Sequence, residues 1–130
     1  MAYTFGTTVD GDIATVREQV EEALAAEGFG VLTEIDVAAT MQSKIGVDME
    51  PYVILGACNP VLAHEAIGMD ADVGALLPCN VVLRGDGDRV IVRFMDPAAV
   101  LGLVDADGIE AAASEARSRL MRVAVALGAD

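Results

Sequence analysis

The sequence predicts an α+β fold in two layers, in which one sheet carries its helices on a single face. Segments with strand and helix patterns alternate in the order β-α-β-α-β-α-β-β-α. The last two strands flank the tight turn RGDGDR, which indicates a hairpin. Residues 52–58 (YVILGAC) are apolar almost throughout, as expected for a strand that is covered on both faces or lies centrally in the sheet. A chain of 130 residues fits one domain, residues 1–130.

The first half of the chain is predicted to form two strand–helix pairs. Residues 3–9 form the first strand, and Asp12 is the N-cap of a helix that runs to Glu27. Gly28 ends this helix in the left-handed conformation that glycine adopts at little cost. The next strand covers residues 29–36, and a short helix over residues 37–45 is stopped by Gly46. The apolar residues of the second strand are Phe29, Val31 and Ile35.

The second half begins with the apolar strand and continues with a helix that Asn59 and Pro60 open and that ends near Gly68. Because Pro78 cannot donate to a strand ladder, the next strand starts at Cys79 or beyond. Its hairpin partner is VIVRFM, and Pro97 to Val104 is a loop or a single turn. Asp107 is predicted to cap the last helix, whose apolar stripe is Ile109, Ala113, Ala116, Leu120, Val123 and Leu127.

The composition restricts the classes of function. The formal net charge is −13, from 21 acidic and eight basic residues, which argues against nucleic-acid binding. The acidity favours adaptation to a salty cytoplasm over attraction of a basic partner. No apolar run reaches the roughly 18 residues that span a bilayer and no signal peptide is visible, so we expect a cytoplasmic protein without membrane contact. In that compartment the two cysteines are expected to be reduced thiols.

The two cysteines and the two asparagines of the chain form the same dipeptide twice, Cys58-Asn59 and Cys79-Asn80, each beside a proline. Asn59 is explained as the N-cap of the helix that starts at Pro60. Asn80 is a poor residue for a strand start, which equally suggests a bond to loop backbone or a contact with a ligand. Cys58 lies just outside the positive end of a helix, where a thiolate is favoured, although an inert buried cysteine explains it as well.

The single histidine, His64, could join the two cysteines in a metal site, although a surface position on its helix is the simpler interpretation. Cys58, Cys79 and His64 are one ligand short of a closed tetrahedral site. A dimer could supply the fourth ligand, or the three could hold a soft metal ion such as Cu(I). The DxD patterns lack a full calcium loop, and the chain has no phosphate-binding glycine motif and no GxSxG elbow.

Three segments, FGVLTEIDV, YVILGACNPVLAHEAI and ALLPCNVVLR, resemble a bacterial and archaeal family known as domain of unknown function 302. The resemblance extends from about Tyr3 to Leu127. It implies a small α+β domain with a mostly antiparallel sheet and a homodimer. The motif positions of the family fall on Cys58, Asn59, Pro60, Pro78, Cys79 and Asn80. The resemblance leaves the activity of the protein and any cofactor open.

Three functions from different classes are compatible with the sequence. The first is a module that binds a small ligand, a soft metal ion or a thiol-reactive molecule in a pocket between the two Cys-Asn pairs. The second is a non-catalytic, homodimeric interaction protein, and the third is a thiol-dependent redox or transfer enzyme with Cys58 as its nucleophile. The first is preferred, and its candidate ligand-binding residues are Cys58, Asn59, His64, Cys79 and Asn80. All three depend on whether Cys58 and Cys79 approach each other.

Overall fold

The computed structural model describes residues 2–129 and contains one five-stranded sheet, with the strand order β1-β5-β4-β3-β2. Every neighbouring pair of strands is antiparallel. The strands are β1 (Thr4–Asp10), β2 (Gly30–Asp36), β3 (Tyr52–Cys58), β4 (Cys79–Asp86) and β5 (Arg89–Met95). The helices are α1 (Ile13–Ala26), α2 (Val37–Ile45), α3 (Pro60–Met69), α4 (Pro97–Val100) and α5 (Ile109–Ala126). The predicted fold class and the predicted order of elements are both confirmed.

Local capping explains where the first helices begin and end. The Asp12 carboxylate accepts a hydrogen bond from the Thr15 amide at 2.8 Å, and Asp36 does the same for the Ala39 amide at 2.9 Å. Gly28, directly after the C-cap of α1, has a φ of +84°, a conformation that side chains with a Cβ rarely adopt. These boundaries agree with the sequence prediction within one residue. Among residues 2–129, no helix is long and apolar enough to cross a membrane.

The core lies between the sheet and two long helices. α1 and α5 pack on one face, which we call the helix face, through Val16, Val20, Leu24, Leu120, Val123 and Ala124. Alternate residues of the inner strands meet them, since the period of a strand is two: Val53, Leu55, Ala57, Cys79, Val81, Leu83, Val90, Val92 and Phe94. A smaller cluster under α3 contains Ala66, Val73, Leu101, Ile109 and Ala113.

The alternate strand residues point to the other side of the sheet, and apart from Gly56 they are half-buried or exposed. We call this side the open face and define it by Thr8, Asp10, Ile35, Tyr52, Ile54, Val82, Arg84, Asp86, Arg89, Ile91 and Arg93. α2 contributes no buried residue to either core cluster; it contacts β3 and lines a shallow pocket with Ile35. The two long helices α1 and α5 therefore cover only the helix face of the sheet.

A β-bulge in β2 changes which of its residues face the core. The register shifts between Val31, which pairs with Ala57, and Thr33, which pairs with Gly56. An extra residue in one strand moves every later side chain to the opposite face. Ile35 consequently pairs with Ile54 on the open face and is 49% exposed. Of the three apolar residues named for this strand, Phe29 and Val31 pack in the core, whereas Ile35 does not.

The start of α5 also differs from the prediction. Gly108, with a φ of +88°, is the N-cap, and no side chain accepts a hydrogen bond from the first turn. Asp107 therefore does not cap the helix, which begins one residue later than a cap at Asp107 would require. The predicted apolar stripe of α5 is correct from Ile109 to Val123, and Leu127 is only partly buried.

We expect Gly56→Ala to destabilise the fold by about 1–3 kcal/mol, the typical cost of an overpacked site. A Cβ on Gly56 would collide with Thr33 Oγ1 and would lie 2.8 Å from Pro78 Cγ. Gly68→Ala, in α3, is the matched control, since a Cβ there would have no atom within 4 Å. Alanine in a helix is favoured over glycine, so the control should be neutral or stabilising. Urea denaturation measures both, and equal stabilities would contradict the proposed collision.

Candidate functional site

A small cavity lies where β3 ends and β4 begins, under α3 and α5. Its volume is about 30 Å³, enough for about two water molecules and far below the size of a drug-like ligand site. Cys58, Asn59 and Cys79 line it together with apolar side chains. The apolar lining consists of Phe29, Ala57, Leu62, Ala63, Ala66, Leu77, Pro78, Leu101, Ala112 and Ala116.

The two cysteines meet where β3 ends and β4 begins, and both line the cavity. Ala57 pairs directly with Cys79, so strand alternation alone would turn Cys58 to the opposite face. Cys58 can reach the cavity because it is the last residue of β3, where the chain turns into α3. Cys58 is half-buried and Cys79 is buried, and both are free thiols. The convergence on which all three functional predictions depended is therefore present in this structure.

Asn59 is the only buried polar residue among the residues that the structure describes, with 6% of its surface exposed. Its Oδ1 accepts a hydrogen bond from the Leu62 amide at 3.2 Å, which confirms its predicted role as the N-cap of α3. Its amide nitrogen lies close to Gly28, where an added Cβ would come within 3.0 Å of Nδ2. Arg119 Nη1 donates to the Glu27 carbonyl at 3.1 Å, which ties the end of α1 to α5 beside the site.

Two of the candidate ligand-binding residues lie outside the cavity. Asn80 follows Cys79 in β4, and strand alternation turns its side chain to the other face of the sheet, where it is exposed. His64 is exposed on α3 and does not line the cavity. The repeated Cys-Asn dipeptide thus contributes three of its four residues to one site. Only the first asparagine joins the cysteines.

The structure limits the metal chemistry of this site. Within residues 2–129, no three His, Cys, Asp or Glu side chains are grouped so that they could hold a metal ion together. His64 does not complete a three-ligand set with Cys58 and Cys79 in one chain. The cysteines can therefore act at most as a pair of sulfur ligands within a single copy.

The two thiols differ in accessibility, and burial changes the pKa of Cys79. Burial raises the pKa of Cys79 to about 11, and the neighbouring Cys58 adds a smaller effect in the same direction. Cys79 is therefore a protonated thiol at neutral pH. Cys58, half-buried beside the N-terminus of α3, is the more accessible of the two sulfur groups. A reagent from solvent would meet Cys58 first.

Sequence reasoning missed the walls of the cavity. Five of its lining residues are alanines: Ala57, Ala63, Ala66, Ala112 and Ala116. In sequence these alanines are ordinary members of apolar stripes, and only the packing of α3 against α5 brings their short side chains to one place. The cavity exists because these side chains are too small to fill the space next to the cysteines.

The arginines towards the C-terminal end of α5 suggest in sequence either an anion-binding patch or, more simply, a solvated helix end, and in the structure each of them pairs with a carboxylate. Arg117 pairs with Asp96 at 3.2 Å, and Arg119 and Arg122 pair with Glu115 and Glu27, both at 2.8 Å. Each guanidinium already has a carboxylate partner. This arrangement agrees with the simpler interpretation of a solvated helix end.

The fold has relatives among known proteins. The family model described as "Domain of unknown function DUF302" matches residues 5–127. Among solved structures, the crystal structure of an uncharacterized conserved DUF302 protein from Bacillus stearothermophilus is similar, with a TM-score of 0.89 and 27% sequence identity. The match covers 98% of this chain and 99% of that chain. No curated protein matches this chain.

The buried thiol of Cys79 gives a testable pH dependence of stability. Its pKa rises from an ordinary value of 9.0 to about 11 on folding, so the native state keeps the proton to higher pH than the unfolded chain does. This contribution to stability is complete below about pH 9 and is lost as the pH rises through about 11. At about 1.4 kcal/mol per pKa unit, we expect the free energy of unfolding to fall by about 2–3 kcal/mol over this pH range.

Urea unfolding between pH 8 and pH 11.5 measures this loss as the difference between the wild type and Cys79→Ala. Cys58→Ala is the matched control and should retain most of the pH dependence, because burial is the larger cause of the shift. Parallel pH profiles for the wild type and Cys79→Ala would contradict the assignment.

Proposed function

The chain belongs to the family described as domain of unknown function DUF302, and we propose that it is a binding module for a small, soft ligand held between Cys58 and Cys79. One observation carries the proposal: the two cysteines of the chain line the same cavity, although 20 residues separate them in sequence. The buried N-cap Asn59 fixes the start of α3 at the edge of that cavity.

The size and lining of the cavity support a monatomic or very small ligand. At about 30 Å³ the space does not accept an organic cofactor. Its apolar walls disfavour a hydrated, hard cation, and its sulfur atoms favour a soft one. Cu(I) has these properties, and two thiolates are a suitable ligand pair for it. Because Cys79 is protonated at neutral pH, binding must release its proton, so affinity should increase with pH.

We expect the reduced wild-type chain to take up one Cu(I) in anaerobic competition with a chromogenic Cu(I) chelator. Cys58→Ser and Cys79→Ser should each lower the affinity at least 100-fold, because either change leaves a single sulfur ligand. Loss of chelator absorbance on addition of protein is the measurement.

His64→Ala and Asn80→Ala are the matched controls for this titration. Both residues were candidates in the sequence, and both lie outside the cavity, so the variants should bind Cu(I) like the wild type. A wild-type chain that leaves the chelator absorbance unchanged would refute Cu(I) as the ligand. If His64→Ala lowers the Cu(I) affinity as much as the cysteine variants do, the binding site lies instead on the surface of α3.

A second candidate function is a homodimeric interaction protein, and the open face favours it. Its central residues Ile54, Val82 and Ile91 are only half-buried, and none of them belongs to a core cluster. Apolar residues on the sheet face that the long helices leave uncovered are a common binding site for another protein. The thiol-dependent enzyme with Cys58 as its nucleophile stays a prediction.

For the acidic surface we propose adaptation to a salty cytoplasm rather than attraction of a basic partner. With a net charge of −13 on 13.4 kDa, self-repulsion in dilute buffer should destabilise the native state. Raising KCl from 0.05 M to 2 M should therefore increase the melting temperature, as the Debye length falls to about 3 Å or less. A melting temperature that is flat or falls with KCl in scanning calorimetry would argue against salt adaptation.

A further inference from the structure

The backbone holds the two cysteines of the chain at a spacing that suits a covalent bond between them. Because Ala57 pairs with Cys79, the Cα of Cys58 lies one residue further along the neighbouring strand. With strands about 4.8 Å apart and a rise of about 3.4 Å per residue, the two cysteine Cα atoms are about 6 Å apart. Disulfides span Cα distances of about 4.4–6.8 Å, so this separation lies within their range.

The end of β3 also brings the two side chains to the same side. Cys58 is the last residue of the strand, and it lines the cavity that Cys79 faces. The electrostatic effect of Cys58 on the pKa of Cys79 requires the two sulfur groups to be close to each other. The cavity leaves about 30 Å³ of unfilled space beside them, which allows the side-chain rotations that a bond needs. Both thiols are free in this structure.

The two thiols differ in the way that a reversible disulfide requires. Cys58 is half-buried, so a reagent from solvent reaches it, whereas Cys79 is only 7% exposed. In thiol–disulfide exchange an accessible thiol reacts first, and a neighbouring thiol then resolves the mixed product. The chain has no third cysteine, so neither thiol has any other partner within the chain.

From these observations we propose that Cys58 and Cys79 form a reversible disulfide with each other and that this bond switches the ligand site off. This inference rests on the proposed function, because it assigns the regulation of the same cysteine pair. In the reduced chain both sulfur groups are free to bind a soft ligand. In the oxidised chain they are bonded to each other, and neither provides a thiolate. The oxidant is a low-molecular-weight disulfide such as glutathione disulfide.

Two exchange steps form the bond. The Cys58 thiolate attacks one sulfur of the small disulfide, so a mixed disulfide forms, the bond between the two small thiols breaks and one small thiolate leaves. Cys79 then releases its proton to solvent, and its thiolate attacks Cys58 Sγ and expels the second small thiolate. The two leaving groups take up the two protons that the cysteines released. The protein loses two electrons, the small disulfide gains them, and an excess of small thiol reverses both steps.

The test of the bond is oxidation of the full chain with glutathione disulfide, followed by mass spectrometry without a reducing agent. The wild type should lose the mass of two hydrogen atoms and regain it with dithiothreitol. Cys79→Ser should stop at the mixed disulfide, heavier by one glutathione unit, because Cys58 then has no partner. Cys58→Ser should react roughly 100-fold more slowly than Cys79→Ser, because its remaining thiol is buried. His64→Ala, at an exposed position outside the cavity, is the control and should oxidise like the wild type.

The pH dependence of the second step identifies the resolving thiol. Burial is the larger cause that raises the pKa of Cys79 to about 11, and it persists when Cys58 carries glutathione. The thiolate fraction of Cys79, and with it the rate at which the wild-type mixed disulfide resolves, should rise about tenfold per pH unit between pH 7 and pH 9. A wild type that yields only the mixed disulfide, or only disulfide-linked pairs of chains, would overturn the internal bond.

The test of the switch is Cu(I) uptake by the oxidised wild type in the chelator titration. The oxidised chain should leave the chelator absorbance unchanged, and reduction followed by desalting should restore the uptake. An oxidised chain that binds Cu(I) as tightly as the reduced one would overturn the switch. If the internal disulfide forms but the reduced chain takes up no Cu(I), the proposed ligand is wrong and the bond stands. If the reduced chain takes up Cu(I) but forms no internal disulfide, the proposed ligand stands and this inference is wrong.

Discussion

The antiparallel register between β3 and β4 is the constraint on which the rest of the site depends. It places Ala57 opposite Cys79 and so turns Cys79 to the cavity, which Cys58 reaches from the end of β3, although α3 and the following turn separate the two cysteines in sequence. A shift of one residue would turn Cys79 to the open face and bring Asn80 to the core, an exchange that the apolar walls of the cavity would not tolerate. This pairing requires a glycine at position 56, because any larger residue there would collide with Thr33 and Pro78.

The sequence was sufficient for the elements of the fold and insufficient for the faces of β2. Strands, helices and caps depend on residues within a few positions of each other, so Asp12, Gly28 and Asn59 could be assigned from the sequence. The bulge at Leu32 depends on how β2 pairs with β3, a long-range interaction with no local signal, so the sequence did not show which face of the sheet Ile35 takes. The N-cap at Gly108 was missed for a related reason, since Asp107 is a good capping residue that the turn leaves unused.

The site itself was predictable in part. The rarity of Cys and Asn in the chain singled out Cys58, Asn59 and Cys79, which line one cavity, but a dipeptide repeat in sequence does not fix the face on which each member lies. Two consecutive residues of a strand point in opposite directions, so Cys79 and Asn80 could not both enter one cavity. Asn59 could accompany Cys58 because the strand ends there and the chain turns into α3. A Cys-Asn pair at the end of a strand therefore brings both side chains to the cavity, whereas the same pair at the start of a strand brings only the cysteine.

The distance between the acidic surfaces of two copies determines how strongly they repel each other, and it depends on which face of the sheet makes the contact. The acidic groups lie largely on helices and loops, because the strand residues of the open face carry only Asp10 and Asp86. Two sheets packed face to face are about 10 Å apart, and each helix layer adds about 10 Å more. The acidic surfaces of two copies would then be separated by roughly 30 Å, several times the Debye length of about 8 Å at physiological ionic strength. Contact through the helix layers would instead bring the like charges within one Debye length. In the proposed homodimer, contact through the open face would therefore cost less electrostatic repulsion than contact through the helix layer.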